Sequence, residues 1–153
     1  AKAEENGLMI RTALSGRDAG KLASTPAVAI PAEISVARAV EDYFVRHRFT
    51  AFPVVDGPRV LGLIDVASIE GVPSVRRGET LVGEIAIRDS ALIVGKDVDV
   101  AELVERPAFQ RVGRAVVVGD GSVGIISVTE VDRVLRALYL AGRPPVAEPH
   151  QAR

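Results

Sequence analysis

Apolar residues in this chain fall in short runs separated by polar turns, and the order of the runs repeats. Behind Ser35, Val36, Val40, Phe44 and Val45 recur at helical spacing while Arg38, Glu41, Asp42 and Arg46 fall on the opposite side. That spacing predicts a helix capped by Ser35 and ending near His47. Ahead of it, AVAI at Ala27–Ile30 predicts a short strand broken by Pro31. Behind it, FPVV at Phe52–Val55 and RVLGLI at Arg59–Ile64 are apolar runs joined by a DGP turn, the pattern of a hairpin. With a further helix starting beyond Asp65, the order is strand, helix, strand, strand, helix.

The same order then returns. GLIDVASIEGV at Gly62–Val72 reappears as GIISVTEVDRV at Gly124–Val134, 62 residues later, and Gly16 and Gly78 open the similar runs GRDAGKLAST and GETLVGEIA. ALIV at Ala91–Val94 stands for AVAI, and DVDVAELV at Asp97–Val104 stands for the first helix. RAVVV at Arg114–Val118 and VGII at Val123–Ile126 rebuild the hairpin around GDGS, and a longer helix follows through Val131, Leu135 and Leu138.

Each copy is small for a self-sufficient domain, so two copies must share a core and leave a cleft between them. The pattern predicts an α+β or α/β fold in which two βαββα repeats pack as a pseudo-twofold pair. The expected divisions are a connector helix over 1–15, built on Leu8, Ile10 and Leu14, a first repeat over 16–76, a second over 77–141, and a flexible Pro-rich tail over 142–153. The chain opens on Ala1 and a charged, helix-prone AKAEENG, which points to a segment cut from a longer protein.

Composition narrows the function. With 48% hydrophobic and 25% charged residues the chain can bury a core, and with few aromatics Val, Ala, Leu and Ile must fill it. A net charge of −1 with interspersed signs gives no nucleic-acid footprint. No apolar run approaches the roughly 20 residues of a membrane span, so no direct membrane insertion is expected. There is no cysteine, and the two histidines, His47 and His150, stand alone, so neither a thiolate site nor a nucleophile–base–acid triad can be assembled. No catalytic or metal residue is assigned, and the chain itself is not expected to be an enzyme.

At the two hairpin-to-helix junctions, FPVVD at Phe52–Asp56 with GLI at Gly62, and AVVV at Ala115 with GIISVTEV at Gly124–Val131, the chain resembles a tandem pair of cystathionine-β-synthase (CBS) domains, or Bateman module. The resemblance spans Gly16 to Ala141 and implies a dimerising regulatory module whose clefts take adenosine-containing ligands, AMP, ATP or S-adenosylmethionine. The linking segments ALSGRDAGKLA, EDYFVRHRFTAFPVVD and GVPSVRRGETLVGEIA are similar to the cytosolic C-terminal region of bacterial site-2-type intramembrane zinc metalloproteases. That implies a cytoplasmic soluble domain of an integral membrane protein, with a protease core in the same polypeptide. Zinc would belong to that core, whose H-E-x-x-H motif this chain lacks.

The resemblance also implies a G-h-h-[ST]-x-x-D pattern whose hydroxyl and carboxylate meet a ribose or phosphate at a helix mouth. In the second copy Ser127 keeps the hydroxyl, Glu130 replaces the Asp, and Thr129 and Ile125 lie beside them. Leu92 and Val94 with Ala115 and Val116 are candidate walls for an adenine. In the first copy Asp65 stands where the hydroxyl belongs and Ser68 where the carboxylate belongs, which makes that site, with Phe52 and Pro53, degenerate.

Competing structural roles are open at each position: helix caps for Ser127, Glu130, Asp65 and Ser68, and plain core for the apolar residues. Arg76, Arg77, Arg111 and Arg114 are either polyphosphate contacts or solvated surface, and Arg46, His47 and Arg48 form a basic helix end. Three functions follow: a ligand-sensing module regulating an attached protease, a ligand-free dimerisation or docking module, and a stand-alone nucleotide sensor.

Overall fold

Each repeat builds one three-stranded sheet in the computed structural model of the chain, which describes residues 10–142. The first lobe pairs β1 (Ile30–Pro31) parallel to β2 (Ala51–Asp56), which runs antiparallel to β3 (Arg59–Asp65). The second pairs β4 (Ile93–Gly95) parallel to β5 (Arg114–Gly119), antiparallel to β6 (Ser122–Ser127). Ala51 faces Asp65 at the head of one hairpin and Arg114 faces Ser127 at the head of the other, so Ala51 and Arg114 are equivalent positions. The helices that follow these heads are α4 (Val66–Glu70) and α8 (Val128–Leu140).

Local detail departs from the sequence expectation in four places. The first strand is Ile30–Pro31 rather than Ala27–Ile30, because an edge strand tolerates a residue with no N–H to donate. In the second repeat the strand starts at Ile93, since Ser90–Leu92 forms a 3-10 turn. The first long helix is α3 (Val36–Ala39) running into a π-turn over Val40–Phe44. The Val45 N–H reaches back five residues to the Val40 carbonyl at 2.8 Å, and this wider turn carries Val45 out of the buried stripe, leaving it 69% exposed. Finally, α6 (Val100–Leu103) is followed by a helix not anticipated from the pattern, α7 (Pro107–Val112), with Pro at its first position and Gly113 in the left-handed conformation beyond its end.

The segments that open the two repeats cross over. The first carries α2 (Ala19–Leu22) onto the second lobe: Ala19 N–H donates to the Val98 carbonyl (2.8 Å) and Ser24 N–H to the Ile125 carbonyl (2.9 Å). The second carries α5 (Val82–Ile85) onto the first lobe: Val82 N–H donates to the Ile34 carbonyl (2.9 Å) and Ile87 N–H to the Leu63 carbonyl (2.8 Å). Ala19 therefore sits in the second lobe's core and Val82 in the first lobe's. Each lobe is completed by the other's lead-in, which is why one copy cannot bury its apolar face alone.

The connector expected over 1–15 is helical at residues 10–14, designated α1, where Leu14 is fully buried in the second lobe's core. Residues 1–9 of that connector, and all but Gly142 of the expected tail, lie outside the described residues. Among the described residues no helix is long and apolar enough to cross a membrane.

Candidate functional site

A cleft of about 350 Å³ opens where the two lobes meet. One wall is the crossing segment from Ser24 to Val28; a second is the approach to β2, from Arg48 to Phe52; the third is Arg114, Ile125 and the mouth of α8. Ser127, Thr129 and Glu130 all line it, as does Phe52. The fold thus brings together residues from both lobes that are far apart in sequence.

The two helix mouths differ in how their polar groups are committed. At α4 the capping box is complete: Ser68 N–H and Ser68 Oγ both donate to Asp65 Oδ1, at 2.9 and 2.8 Å, and Asp65 N–H donates to Ser68 Oγ at 3.3 Å. Asp65 is 8% exposed, so this carboxylate is spent on its own helix. At α8 only half the box is made. Glu130 N–H donates to Ser127 Oγ at 3.2 Å, but the Glu130 carboxylate turns to Arg133. Ser127 accepts that bond and keeps its own O–H free to donate.

Asp65→Ala is accordingly expected to lower stability by about 1–2 kcal/mol, the loss of a partly buried cap. Ser127→Ala should cost about 1 kcal/mol or less, since its helix has other anchors. Equilibrium urea unfolding compares the two; an equal loss at both positions would contradict the difference in capping.

The remaining residues singled out from the sequence lie elsewhere. Leu92, Val94, Ala115 and Val116 are 0–3% exposed within the second lobe's core. Pro53 is buried in the middle of β2. Of the four arginines considered, Arg114 lines the cleft; Arg76 pairs with Glu79, Arg111 pairs with Asp89 at 3.7 Å, and Arg77 Nε donates to the Val72 carbonyl. Arg114 Nη2 donates to Thr50 Oγ1 at 2.6 Å, joining the head of one hairpin to the approach of the other.

Ser24, Pro26, Ala27, Val28, Arg48, Phe49 and Thr50 are cleft residues that sequence reasoning did not single out for this role. Their signal was positional: they immediately precede the first two strands of a repeat. Phe49 is 52% exposed, and its ring lies parallel to that of His47 with an 11° interplanar angle. Among the described residues no group of three or more His, Asp or Glu side chains is placed to hold a metal ion.

This fold is that of tandem CBS repeats, and residues 19–74 match the family model described as CBS domain. A CBS domain-containing protein of unknown function from Bacillus anthracis superposes with a TM-score of 0.67 at 18% identity, covering 81% of this chain and 96% of its own. The CBS domain of a bacterial CNNM/CorC family Mg²⁺ transporter, in complex with ATP, gives 0.68 at 17% identity, over 86% and 95%. A CBS domain pair in complex with 5′-methylthioadenosine and S-adenosyl-L-methionine gives 0.63 at 20% identity, over 76% and 98%. No curated protein matches the chain.

Proposed function

We propose that this chain is a regulatory CBS pair whose inter-lobe cleft binds one adenosine-containing ligand and, in doing so, alters the packing of the two lobes. The observation that carries this reading is the half-made cap at α8. Ser127, with a hydroxyl free to donate, and Glu130, whose carboxylate is held by Arg133, line a cleft of about 350 Å³ together with Ala27, Val28 and Phe52. An acidic side chain accepts hydrogen bonds from a ribose diol, and a helix mouth favours a phosphate. The ATP, 5′-methylthioadenosine and S-adenosylmethionine held by the solved structures above support the choice of ligand. The closed Asp65–Ser68 box supports a single site per chain.

The reading is tested by thermal melting with AMP, ATP and S-adenosylmethionine. A ligand at about 100 times its dissociation constant should add roughly 2.7 kcal/mol of stability. Ser127→Ala and Glu130→Ala should reduce that gain while the variants stay folded. No shift with any adenosine compound sinks the reading and favours the ligand-free docking module.

The linking segments extend the proposal: this chain is the cytosolic regulatory end of a site-2-type zinc metalloprotease, and it works as a homodimer. Val66 and Val128, at the equivalent first positions of α4 and α8, are both exposed and offer apolar surface to a second copy. A reading frame that continues upstream into an H-E-x-x-H segment supports the attachment; one without it leaves a stand-alone sensor. Light scattering reports the dimer directly.

A further inference from the structure

Arg48 and Arg114 set the charge that the cleft presents to a ligand. Arg111, Arg133 and Arg136 each have a carboxylate partner: Asp89, Glu130 and Asp132. Arg48 and Arg114, the two that line the cleft, make no ion pair among the described residues. Glu130, the one carboxylate lining the cleft, is already engaged by Arg133. Two guanidinium groups are thus left facing a cleft without a counter-anion, and a bound phosphate supplies one.

The pseudo-twofold relation sharpens the point. Arg114 occupies in the second lobe the place that Ala51 occupies in the first, each opposite the residue that caps the following helix. The pseudo-twofold-related side of the molecule therefore has alanine where this cleft has a guanidinium, and a buried aspartate where this cleft has Ser127. Arg114 is also held in place. Thr50 Oγ1 accepts from one of its nitrogens, and the guanidinium retains further donors directed by the same planar fork. A phosphate that binds those donors is connected through Arg114 to Thr50, and so to both lobes at once.

Resting on the reading of this cleft as an adenosine site, we infer that it selects phosphate-bearing adenine nucleotides over uncharged or cationic adenosine compounds. Arg114 is the phosphate-binding group, with Arg48 as its second, and Thr50 is the positioning residue that sets Arg114 at the lobe junction. S-adenosylmethionine offers the two arginines a single carboxylate beside a cationic sulfonium and an ammonium, so it brings net positive charge where ATP brings a polyphosphate.

Isothermal titration calorimetry at fixed ionic strength, with ATP, adenosine and S-adenosylmethionine, tests this. The wild-type chain should bind ATP at least about tenfold more tightly than either of the others, the size of one charge-assisted contact, with one site per chain. Arg114→Gln should erase that preference by weakening ATP about 10- to 100-fold while changing adenosine little. Thr50→Val should weaken ATP severalfold and Thr50→Ser should restore it, which separates positioning from a general loss of structure. Arg111→Gln, whose side chain pairs elsewhere, should leave ATP binding unchanged.

Adenosine or S-adenosylmethionine binding the wild type as tightly as ATP overturns the inference and leaves the adenosine site standing. ATP preference persisting in Arg114→Gln overturns it as well, and an unaltered affinity in Thr50→Val overturns the role of Thr50. Absence of binding by all three compounds overturns both this inference and the reading it rests on.

Discussion

Alanine at Gly62 is expected to cost about 3 kcal/mol or more of folding stability, although it adds a single methyl group. Neither Gly62 nor Gly124 has a positive φ, so conformational freedom is not what these positions require. What they require is room. Gly62 lies on β3 where the second lead-in crosses, and a Cβ built there falls onto the Ile87 carbonyl oxygen and 2.9 Å from its carbon. Both are backbone atoms bound to Leu63 in both directions, Ile87 N–H to the Leu63 carbonyl and Leu63 N–H to the Ile87 carbonyl, so they cannot retreat without breaking the crossing. At Gly124 the added Cβ meets Thr25 Oγ1, which can rotate, and the Ser24 carbonyl oxygen at 3.0 Å, which cannot do so alone. The loss there should be smaller but of the same kind.

Gly78 is the control, because nothing lies within 4 Å of an added Cβ and its φ is not positive. Gly78→Ala should leave stability within about 0.5 kcal/mol of wild type. Urea unfolding of the three variants gives the comparison. A Gly62→Ala protein as stable as Gly78→Ala would mean that the lead-ins do not cross where they are placed.

These two glycines open the repeated phrase, and they show how far the sequence could be read. The hairpins and the helices behind them were legible because their signals are local: alternating or continuous apolar runs, turn residues between them, and a polar cap at Asp65 and Ser127. The crossing was not legible, since it depends on hydrogen bonds such as Ser24 to Ile125 that join residues about a hundred positions apart. A repeat states that two halves are alike; it does not state which half each connecting segment completes. The π-turn was hidden for a related reason, because Val45 continues the helical apolar spacing and only the wider turn takes it to the surface. The signals for α7 were present in Pro107 and Gly113, but they enclose six residues, too few for a periodic face to stand out.

The site divides the same way. Ser127 and Glu130 stood out because both sit in one short stretch at a helix mouth. The other walls, from Ser24 to Val28 and from Arg48 to Thr50, come from the crossing segment and from the first lobe, and nothing local marks them as sharing a cleft with Ser127. The apolar residues proposed as an adenine wall, Leu92, Val94, Ala115 and Val116, have the composition of a cleft lining and the burial of a core. Composition alone does not separate the two, because both exclude water with the same side chains.

Phe52 belongs to both settings, and its removal should be felt in both. It is 1% exposed in the core of the first lobe, and it lines the cleft. Phe44 packs edge-on against it with ring centroids 4.8 Å apart, and Tyr43 and Phe49 each do so at 5.9 Å. Phe52→Ala should therefore cost about 3–5 kcal/mol, since the cavity would be lined by rings anchored on the π-turn and on the approach to β2, which can close over it only in part.

Phe52→Leu keeps much of the volume but no ring face, so its loss should be less than half that of Phe52→Ala and the protein should remain folded. That variant isolates the second effect. If the cleft holds an adenine against this wall, Phe52→Leu weakens ATP and adenosine by the same factor, because both share the base, whereas Arg114→Gln weakens ATP alone. Unchanged affinity for both ligands in a folded Phe52→Leu protein would move the base to another wall, leaving Phe52 as a core residue that happens to border the cleft.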